Sequence, residues 1–349
     1  MNRLRSWWTL VLLLLFVLSA GAAFHAASHR LIRIADVALA MDTDGENGRE
    51  LSLTGSEAAE DAADITLPLP QDVHFEHVSF ENRYMTGEFL VRLQTGMPSF
   101  YETVPVPCNT DRVTSVHTVY TGESRTLDLI FRLAGVYEAD VLVEDAQLQI
   151  RLHPPEELFR RVVVLDPAFR EPDDLSLRLA LAVRDRAASA DDGLRVYLTR
   201  TDVLAASEAS CLRLADEVKA DRFLRLEASG DGSLSASACF YDGFFLRGYG
   251  SAEFATDVER HLSHVAGVHA VGVGALRNAF ALPSLKIPAA MLSLNGLDGS
   301  ASQIDAIADA VYAGLSVRPD GIKTICVNRH GKESLHEDPI GHGQRTQAA

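Results

Sequence analysis

Six polar side chains follow three short, mainly apolar runs of the sequence, at residues 162–165, 223–226 and 289–292. These side chains are Asp166, Arg170, Glu171, Glu227, Ser293 and Asn295. Runs of this length predict buried parallel strands, whose carboxyl ends meet at one edge of a sheet, where ligands bind. Carboxylates can bind a cation or move a proton, and the other groups can hold a polar ligand by hydrogen bonds. The set contains no His or Cys, so it does not favour a catalytic zinc ion.

The elements that must position these residues alternate between strands and helices over residues 158–317. A further apolar run at 194–198 predicts another strand. Helices are predicted where apolar residues recur at three- and four-residue spacing. These helices lie near 175–183, 211–218, 254–265 and 304–311. Such alternation predicts an α/β domain, with a layered, mostly parallel sheet and flanking helices.

Residues 66–155 are predicted to form a small all-β, sandwich-like module that precedes the α/β domain. Apolar and polar residues alternate in several segments, and turn residues such as those at 95–96 separate them. The clearest alternations lie at 89–93, 127–131, 141–143 and 148–152. Two interpretations stay open, a ligand-binding module and a sandwich with no ligand of its own.

The first 23 residues have the composition of an export signal. Arg3 and Arg5 precede an apolar run from Trp7 to Val17, and small residues follow at 19–23. This order predicts either a cleaved signal peptide or an uncleaved N-terminal membrane anchor. In both cases the arginines keep the N-terminus inside, so the rest of the chain is exported.

Residues 24–65 and 318–349 are predicted to lack a core. The first segment contains the stretch 41–64, in which eight acidic residues stand against Arg49 alone. Like charges with few large apolar residues predict an acidic, solvated linker. The second segment is rich in Pro, Gly, His and charge, and predicts a disordered tail.

The charge and the cysteines exclude two further classes of protein. The formal net charge is −16, from 48 acidic against 32 basic residues. Nucleic acid is therefore not an expected partner, because binding phosphates needs clustered Lys and Arg. The four cysteines (Cys108, Cys211, Cys239 and Cys326) show no CxxC spacing, so a zinc knuckle is not predicted. Buried free thiols are expected, with a Cys211–Cys239 disulfide as the alternative.

Five segments of the predicted α/β domain occur in an order that is typical of one enzyme family. They read VVVLDPAFR, DLSLRLALAVRD, LRVYLTRTDV, SEASCLRLADEVKADRFLRLEASGD and KIPAAMLSLNGLDG. The most specific pieces are the Leu-Thr-Arg at 198–200 followed by Asp202, and the Pro-Ala at 288–289. Together they resemble the zinc-dependent N-acetylmuramoyl-L-alanine amidases of bacterial cell walls (the Amidase_3 family), over about residues 160–316. Residues 125–152 resemble the AMIN-like β modules that precede such amidases.

The resemblance implies an amidase-like fold with a zinc site, yet the sequence departs from the family at each site position. Phe169 stands where the D-P-G-H-G-G motif places a zinc-ligating His, and Pro172 falls nearest the ligating Glu. Glu227 replaces the second His, and Ser293 takes the place of the catalytic Glu. Phe and Pro side chains have no lone pair for zinc, and a serine hydroxyl has too high a pKa to act as the base. We therefore expect no zinc and no catalytic residue, which makes the chain a pseudo-amidase.

Three alternatives would keep a reactive site. Glu171 could take the missing Glu position and ligate zinc together with Glu227. His261, His264 and His269 could supply imidazoles. The first two stand at i, i+3 spacing, although the resemblance puts their helix on the flank of the sheet, away from the cleft. Ser293 could act as a nucleophile, although no G-x-S-x-G turn surrounds it.

The predicted function is that of an exported, non-catalytic envelope protein that binds peptidoglycan or regulates a cell-wall hydrolase. Its expected partners are peptidoglycan or such hydrolases, and also the membrane if the N-terminal segment stays uncleaved. Its expected location is the extracytoplasmic cell envelope. Two alternatives remain. The first is an active N-acetylmuramoyl-L-alanine amidase with a remodelled site that uses zinc, and the second is a structural envelope scaffold.

Overall fold

The computed structural model describes most of the chain from residue 63 to residue 317, together with short stretches on both sides. The described ranges are 34–36, 49–54, 63–144, 146–170, 173–190, 192–243, 245–277, 280–317, 325–327 and 333–335. The predicted export signal, most of the predicted linker and tail, and both Glu171 and Pro172 lie outside the described residues. Within these ranges no helix is long and apolar enough to cross a membrane.

The described residues of the N-terminal half form mainly strands. The strands are β1 (Ile34–Asp36), β2 (Arg49–Leu51), β3 (Leu53–Thr54), β4 (Ile65–Pro68), β5 (Val78–Arg83), β6 (Glu88–Gln94), β7 (Val106–Pro107), β8 (Val113–Thr121), β9 (Thr126–Leu133), β10 (Glu138–Glu144) and β11 (Gln147–His153). A 3₁₀ turn at Phe75–His77 and the short helices α1 (Phe100–Thr103) and α2 (Pro155–Leu158) complete this half.

The second half alternates between strands and helices. Its elements are β12 (Arg161–Pro167), α3 (Leu175–Ala190), β13 (Leu194–Leu198), α4 (Glu208–Glu217), β14 (Arg222–Ala228), β15 (Ser235–Tyr241), β16 (Phe245–Arg247), α5 (Ser251–Leu262), β17 (His269–Leu276), β18 (Ala289–Asn295), α6 (Ala301–Ser316), β19 (Ile325–Val327) and β20 (Glu333–Leu335). A 3₁₀ turn lies at Leu282–Ser284.

Two sheets of the β module enclose one apolar core, as predicted for a sandwich. The larger sheet has the order β1-β5-β6-β9-β8-β2, and the smaller has the order β10-β11-β4. Phe89 pairs with Phe131 across β6 and β9, and both rings are buried in the core. Leu148 and Ile150 of β11 contribute to that core from the smaller sheet. The period-two alternation in the sequence arises because successive side chains of a strand point to opposite faces.

The structure departs from the linker and tail predictions at short stretches. Strand β1 pairs with β5, β2 pairs with β8 and β3 pairs with β7, so parts of residues 24–65 belong to the module. The physical reason is that Leu51 and Leu53 pack against the module core despite the acidic residues around them. In the predicted tail, β19 pairs with both β16 and β20.

Asp72 fastens a turn of the β module through its carboxylate. Its two oxygens accept hydrogen bonds from the Gly96 amide at 2.7 Å and from the Thr95 hydroxyl at 2.8 Å. The Gly96 bond is the main reason why the pKa of Asp72 lies below its usual value. A carboxyl group with a lowered folded pKa contributes stability above its unfolded pKa of about 4, and this contribution is lost as the pH falls through the folded pKa.

We expect Asp72→Ala to lower the free energy of unfolding by about 1 kcal/mol at pH 7, because two hydrogen bonds to an exposed carboxylate are lost. The difference from the wild type should narrow below about pH 4, as the wild-type carboxylate becomes protonated. Urea denaturation at several pH values measures both effects. Glu123→Ala, in an exposed turn of the same sheet, is the control and should change stability little. A difference that stays constant down to pH 2 would show that the bonds do not need the ionised carboxylate.

The sheet of the α/β domain is mostly parallel, as predicted, with the order β13-β12-β14-β18-β15-β17. Strands β13, β12, β14 and β18 run parallel, whereas β15 is antiparallel to β18. Helices α3, α5 and α6 cover one face, where Leu165, Leu224 and Leu292 are buried. Helix α4 covers part of the other face over Val164 and Phe223. The run at 162–165 is apolar without a break, and Arg225 alone interrupts the run at 223–226, because both faces of these strands are covered.

Side-chain caps fix where two of these helices begin and where one ends. The hydroxyl of Ser207 accepts a hydrogen bond from the Ser210 amide at the start of α4, and Ser300 accepts one from Gln303 at the start of α6. At the end of α6, Arg161 donates to the Ser316 carbonyl at 2.6 Å. Caps of this kind satisfy the backbone groups that a helix leaves unpaired at its ends, so α6 is held firmly against the sheet.

Candidate functional site

The structure brings three of the predicted cleft residues together on the α4 face of the sheet. Asp166 on β12 lies beside Arg225 on β14, and Glu227 on β14 lies beside Ser293 on β18. Residues two apart on a strand share a face, so Arg225 and Glu227 point to the same side as the buried Phe223. The carboxyl ends of these parallel strands therefore form the candidate site, which we call the cleft.

Asp166 is the buried member of the cleft, and its carboxylate is fully occupied. One oxygen accepts a hydrogen bond from the Thr199 hydroxyl at 2.5 Å and lies 3.7 Å from the Cys211 thiol. The other oxygen accepts a hydrogen bond from Arg225 at 2.5 Å. A buried carboxylate is stable only when it is paired in this way. Asp166 therefore orders the cleft instead of facing a ligand.

Arg225 links the buried carboxylate to the exposed one. Its guanidinium also donates to Glu227 at 3.2 Å and lies 4.2 Å from the centre of the Phe280 ring. A guanidinium can pair with two carboxylates and stack on an aromatic face at the same time. Two ion pairs, Asp166–Arg225 and Arg225–Glu227, therefore hold the three side chains of this Asp166–Arg225–Glu227 line in position.

Glu227 is the carboxylate that the cleft presents to solvent. Its side chain is 44% exposed, against 5% for Asp166. Ser293 on β18 is its direct neighbour on the adjacent strand, and Ser237 on β15 is the direct neighbour of Ser293 on the strand after that. One carboxylate and two hydroxyls therefore form a row across three adjacent strands. These groups can accept and donate hydrogen bonds to a polar ligand.

Arg170 and Asn295, both predicted cleft residues, have partners outside this line. Arg170 pairs with Asp231 at 2.9 Å in an exposed ion pair. The amide oxygen of Asn295 accepts a hydrogen bond from the Ser229 hydroxyl at 3.2 Å. Neither contact involves Asp166 or Glu227, so Arg170 and Asn295 are not part of the Asp166–Arg225–Glu227 line.

Arg200, the last residue of the Leu-Thr-Arg motif, has a structural role: it binds the backbone of the loop after β12, and we call it the clamp. Its buried guanidinium donates to the carbonyls of Pro167 at 2.7 Å, Ala168 at 3.0 Å and Asp202 at 2.8 Å. It also makes two contacts with the Asp174 carboxylate, at 2.6 and 2.7 Å. A forked, always charged side chain is suited to such a set of acceptors. The loop that follows β12 is held in shape by this one side chain.

The described residues do not fit the zinc ion that the family resemblance implies. Phe169 is exposed, its ring lies 5.5 Å from the Arg200 guanidinium carbon, and it has no donor atom. The Glu227 carboxylate is paired with Arg225, whose positive charge opposes a second cation. Across the described ranges, no group of three or more His, Cys, Asp and Glu side chains could hold a metal ion. Glu171 and Pro172 lie outside the described residues.

Two of the histidines considered as alternative ligands, His261 and His264, lie on the other side of the sheet. Helix α5 carries His261, and its Phe254 and Val258 are buried in the core with Leu292, on the face opposite Glu227. His264 follows the end of α5 and contacts the Arg260 carbonyl at 2.7 Å. Neither imidazole is therefore placed to complete a metal site in the cleft.

The cysteines with described side chains are free thiols. Cys108, Cys211 and Cys239 form no disulfide, so the Cys211–Cys239 bridge considered from the sequence is wrong. Burial, followed by the charge of Asp166, raises the pKa of Cys211 to about 12. A thiol of this kind is unreactive in the folded state. The side chain of Cys326 lies outside the described part of the chain.

Comparison with known proteins finds similarity only among solved structures. No family model and no curated protein matches this chain. The N-acetylmuramoyl-L-alanine amidase AmiC2 of Nostoc punctiforme is 18% identical, with a TM-score of 0.38, over 44% of this chain and 94% of that one. An N-acetylmuramoyl-L-alanine amidase from Clostridium difficile 630 is 19% identical, with a TM-score of 0.38, over 44% and 94%. The CwlD amidase from Clostridioides difficile, solved in complex with the GerS lipoprotein, is 17% identical, with a TM-score of 0.36, over 45% and 96%.

Sequence reasoning missed three residues of the cleft. Arg225 could have been found, because it stands two residues before Glu227 on a strand and so shares its face. Ser237 lies in a run of small residues that gives little strand signal. Phe280 follows β17, and only the folded chain shows that its ring lies against Arg225.

Proposed function

We propose that this chain is an exported, non-catalytic relative of the N-acetylmuramoyl-L-alanine amidases that binds peptidoglycan in its cleft. The observation that carries the proposal is the position of Arg225. Its guanidinium pairs with Asp166 and Glu227, so the positive charge beside these carboxylates is that of an arginine side chain, in place of a metal ion. With Ser293 in place of the catalytic glutamate, the cleft lacks both a metal-activated water and a carboxylate free to act as its base.

The exposed groups of the cleft are suited to a peptide. The Glu227 carboxylate can accept hydrogen bonds from amide or amino N–H groups, and the hydroxyls of Ser293 and Ser237 can pair with carbonyl oxygens. The stem peptides of peptidoglycan offer both kinds of group. The ordered amidase-like segments and the export signal favour the cell wall as the place of action, and the acidic residues of 41–64 favour a position away from the membrane surface.

The test uses the chain from residue 24 onward, pelleted with purified cell-wall sacculi and analysed for zinc and for released muropeptides. We expect binding to sacculi, zinc far below one ion per chain and no release. Glu227→Ala should weaken binding about tenfold, because a charge-assisted hydrogen bond is worth about 1.4 kcal/mol or more. Asp305→Ala, an exposed carboxylate on α6, is the matched control and should bind like the wild type.

Two outcomes would overturn the proposal. Stoichiometric zinc with muropeptide release that Glu227→Ala abolishes would establish an active amidase with a remodelled site. Absence of binding to sacculi by the folded chain would favour the scaffold alternative.

A further inference from the structure

A turn of the β module is buried inside the α/β domain. Tyr84 and Met85, between β5 and β6, are each only 2% exposed. They lie in one apolar cluster with Cys211 and Leu214 of α4. Burial of this degree means that the turn forms part of the layer that covers the cleft side of the sheet.

The Tyr84 hydroxyl completes the edge of that sheet. It donates to the Leu198 carbonyl at 2.7 Å and accepts from the Leu198 amide at 3.1 Å. Its ring packs edge-on against Tyr197, with the two ring centres 5.2 Å apart. Among the described strands, β13 is one of the two edge strands of this sheet, so the backbone groups on its outer side have no neighbouring strand. One side chain of the module therefore satisfies both backbone groups of the last residue of β13.

That residue directly precedes the group that orders Asp166. Thr199 follows Leu198, and its hydroxyl donates to the Asp166 carboxylate. The same turn also reaches α4, because Arg213 donates to the Met85 carbonyl at 2.5 Å. Helix α4 carries Cys211, the other neighbour of that carboxylate oxygen. The turn thus contacts both elements that surround one side of Asp166.

A second contact fixes the module against the same strand. Glu138 at the start of β10 accepts hydrogen bonds from Arg195, at 2.7 Å, and from the Tyr197 hydroxyl. Both donors lie on β13. The module is therefore held to this edge strand at two places, so its turn cannot move away from β13 without breaking these contacts.

From these contacts we infer that Tyr84 is a positioning residue of the cleft. Its hydroxyl holds the end of β13, and through Thr199 it holds Asp166 and the Arg225–Glu227 pair. The β module then helps to set the geometry of the cleft, and does more than precede the α/β domain in the sequence. The inference concerns the geometry of the cleft and does not depend on which ligand the cleft binds.

The test uses the variant Tyr84→Phe, which removes only the hydroxyl. The alkylation rate of each cysteine is measured by mass spectrometry in the wild type and in the variant. Cys211 is buried beside Asp166, so its alkylation requires the cleft to open locally. Cys108 is buried in the module core and serves as the internal reference. We expect the alkylation rate of Cys211 to rise at least about tenfold in Tyr84→Phe, and that of Cys108 to change less than about twofold.

The matched control is Tyr101→Phe. The Tyr101 hydroxyl also donates to a backbone carbonyl at 2.7 Å, that of Pro68, but inside the module. This variant should leave the Cys211 rate unchanged. An unchanged Cys211 rate in Tyr84→Phe, or an equal rise at Cys211 and Cys108, would overturn the inference, since the second result indicates global loss of stability. Neither outcome bears on binding to sacculi, so the two proposals fail separately.

Discussion

Replacement of Arg200 with methionine is expected to lower the free energy of unfolding by about 3–5 kcal/mol, the range typical of a broken buried ion pair. The Arg200 side chain is 1% exposed and is paired with Asp174 through two nitrogen–oxygen contacts. Methionine would fill much of the space but would leave Asp174 without its charge partner. The carbonyls of Pro167 and Ala168 would also lose their donor.

Urea denaturation of the wild type and the variant measures this loss. Arg186→Met is the matched control, because Arg186 also pairs with an aspartate, Asp309, at 2.8 Å. Those two side chains are 52% and 58% exposed, so the control should lose less than about 1 kcal/mol. A loss below about 1 kcal/mol in Arg200→Met would show that the loop after β12 keeps its shape without the clamp.

The Arg200 clamp bears on the proposed lack of catalysis, because it fixes the residues just after β12, where the family motif places a histidine. The held loop presents Phe169 to solvent above the Arg200 guanidinium. A change of Phe169 to histidine alone would add one imidazole, but Glu227 would still be paired with Arg225. A catalytic zinc needs about three protein ligands, so a single substitution is not expected to restore it.

The central strands and the helices were predictable from the sequence because each is covered by other elements. The apolar run at 162–165 predicted β12, which spans Arg161–Pro167, since both of its faces are buried. Helices α3 and α6 followed from apolar residues at helical spacing, and both pack on the sheet. In such elements, hydrophobic patterning and tertiary burial agree.

Strands β15 and β17 were not predicted, and their residues show why. The run Ser-Ala-Ser-Ala at 235–238 has no large apolar residues, so it lacks a strand pattern. In β17, Gly272 has a φ of 111°, a left-handed conformation that glycine adopts without strain. Both strands form because α5 packs against them and because β15 pairs with β18 on one side and with β17 on the other, which is tertiary information.

The cleft was predictable in part for the same physical reason. The carboxyl ends of parallel strands meet at one edge, and this placed Asp166, Glu227 and Ser293 together. The same rule could not distinguish these residues from Arg170 and Asn295, whose partners come from loops. The two-residue spacing places Arg225 on the same strand face as Glu227, but its pairing with both carboxylates depends on side-chain distances that the sequence does not give.

Asp166→Ala is expected to cause a loss of similar size, about 3–5 kcal/mol of unfolding free energy. The substitution removes the buried partner of Arg225, whose own side chain is 17% exposed, and leaves that charge with Glu227 alone. It also leaves the Thr199 hydroxyl without its acceptor. Asp231→Ala provides the control, because its ion pair with Arg170 is exposed and should contribute less than about 1 kcal/mol.

A second substitution in the same background separates the loss of the ion pair from the loss of packing. If the cost of Asp166→Ala comes from an unpaired charge, then Arg225→Met added to it should recover at least half of the lost stability, because no buried charge is left without a partner. Failure to recover would place the cost in the contact between Asp166 and Thr199.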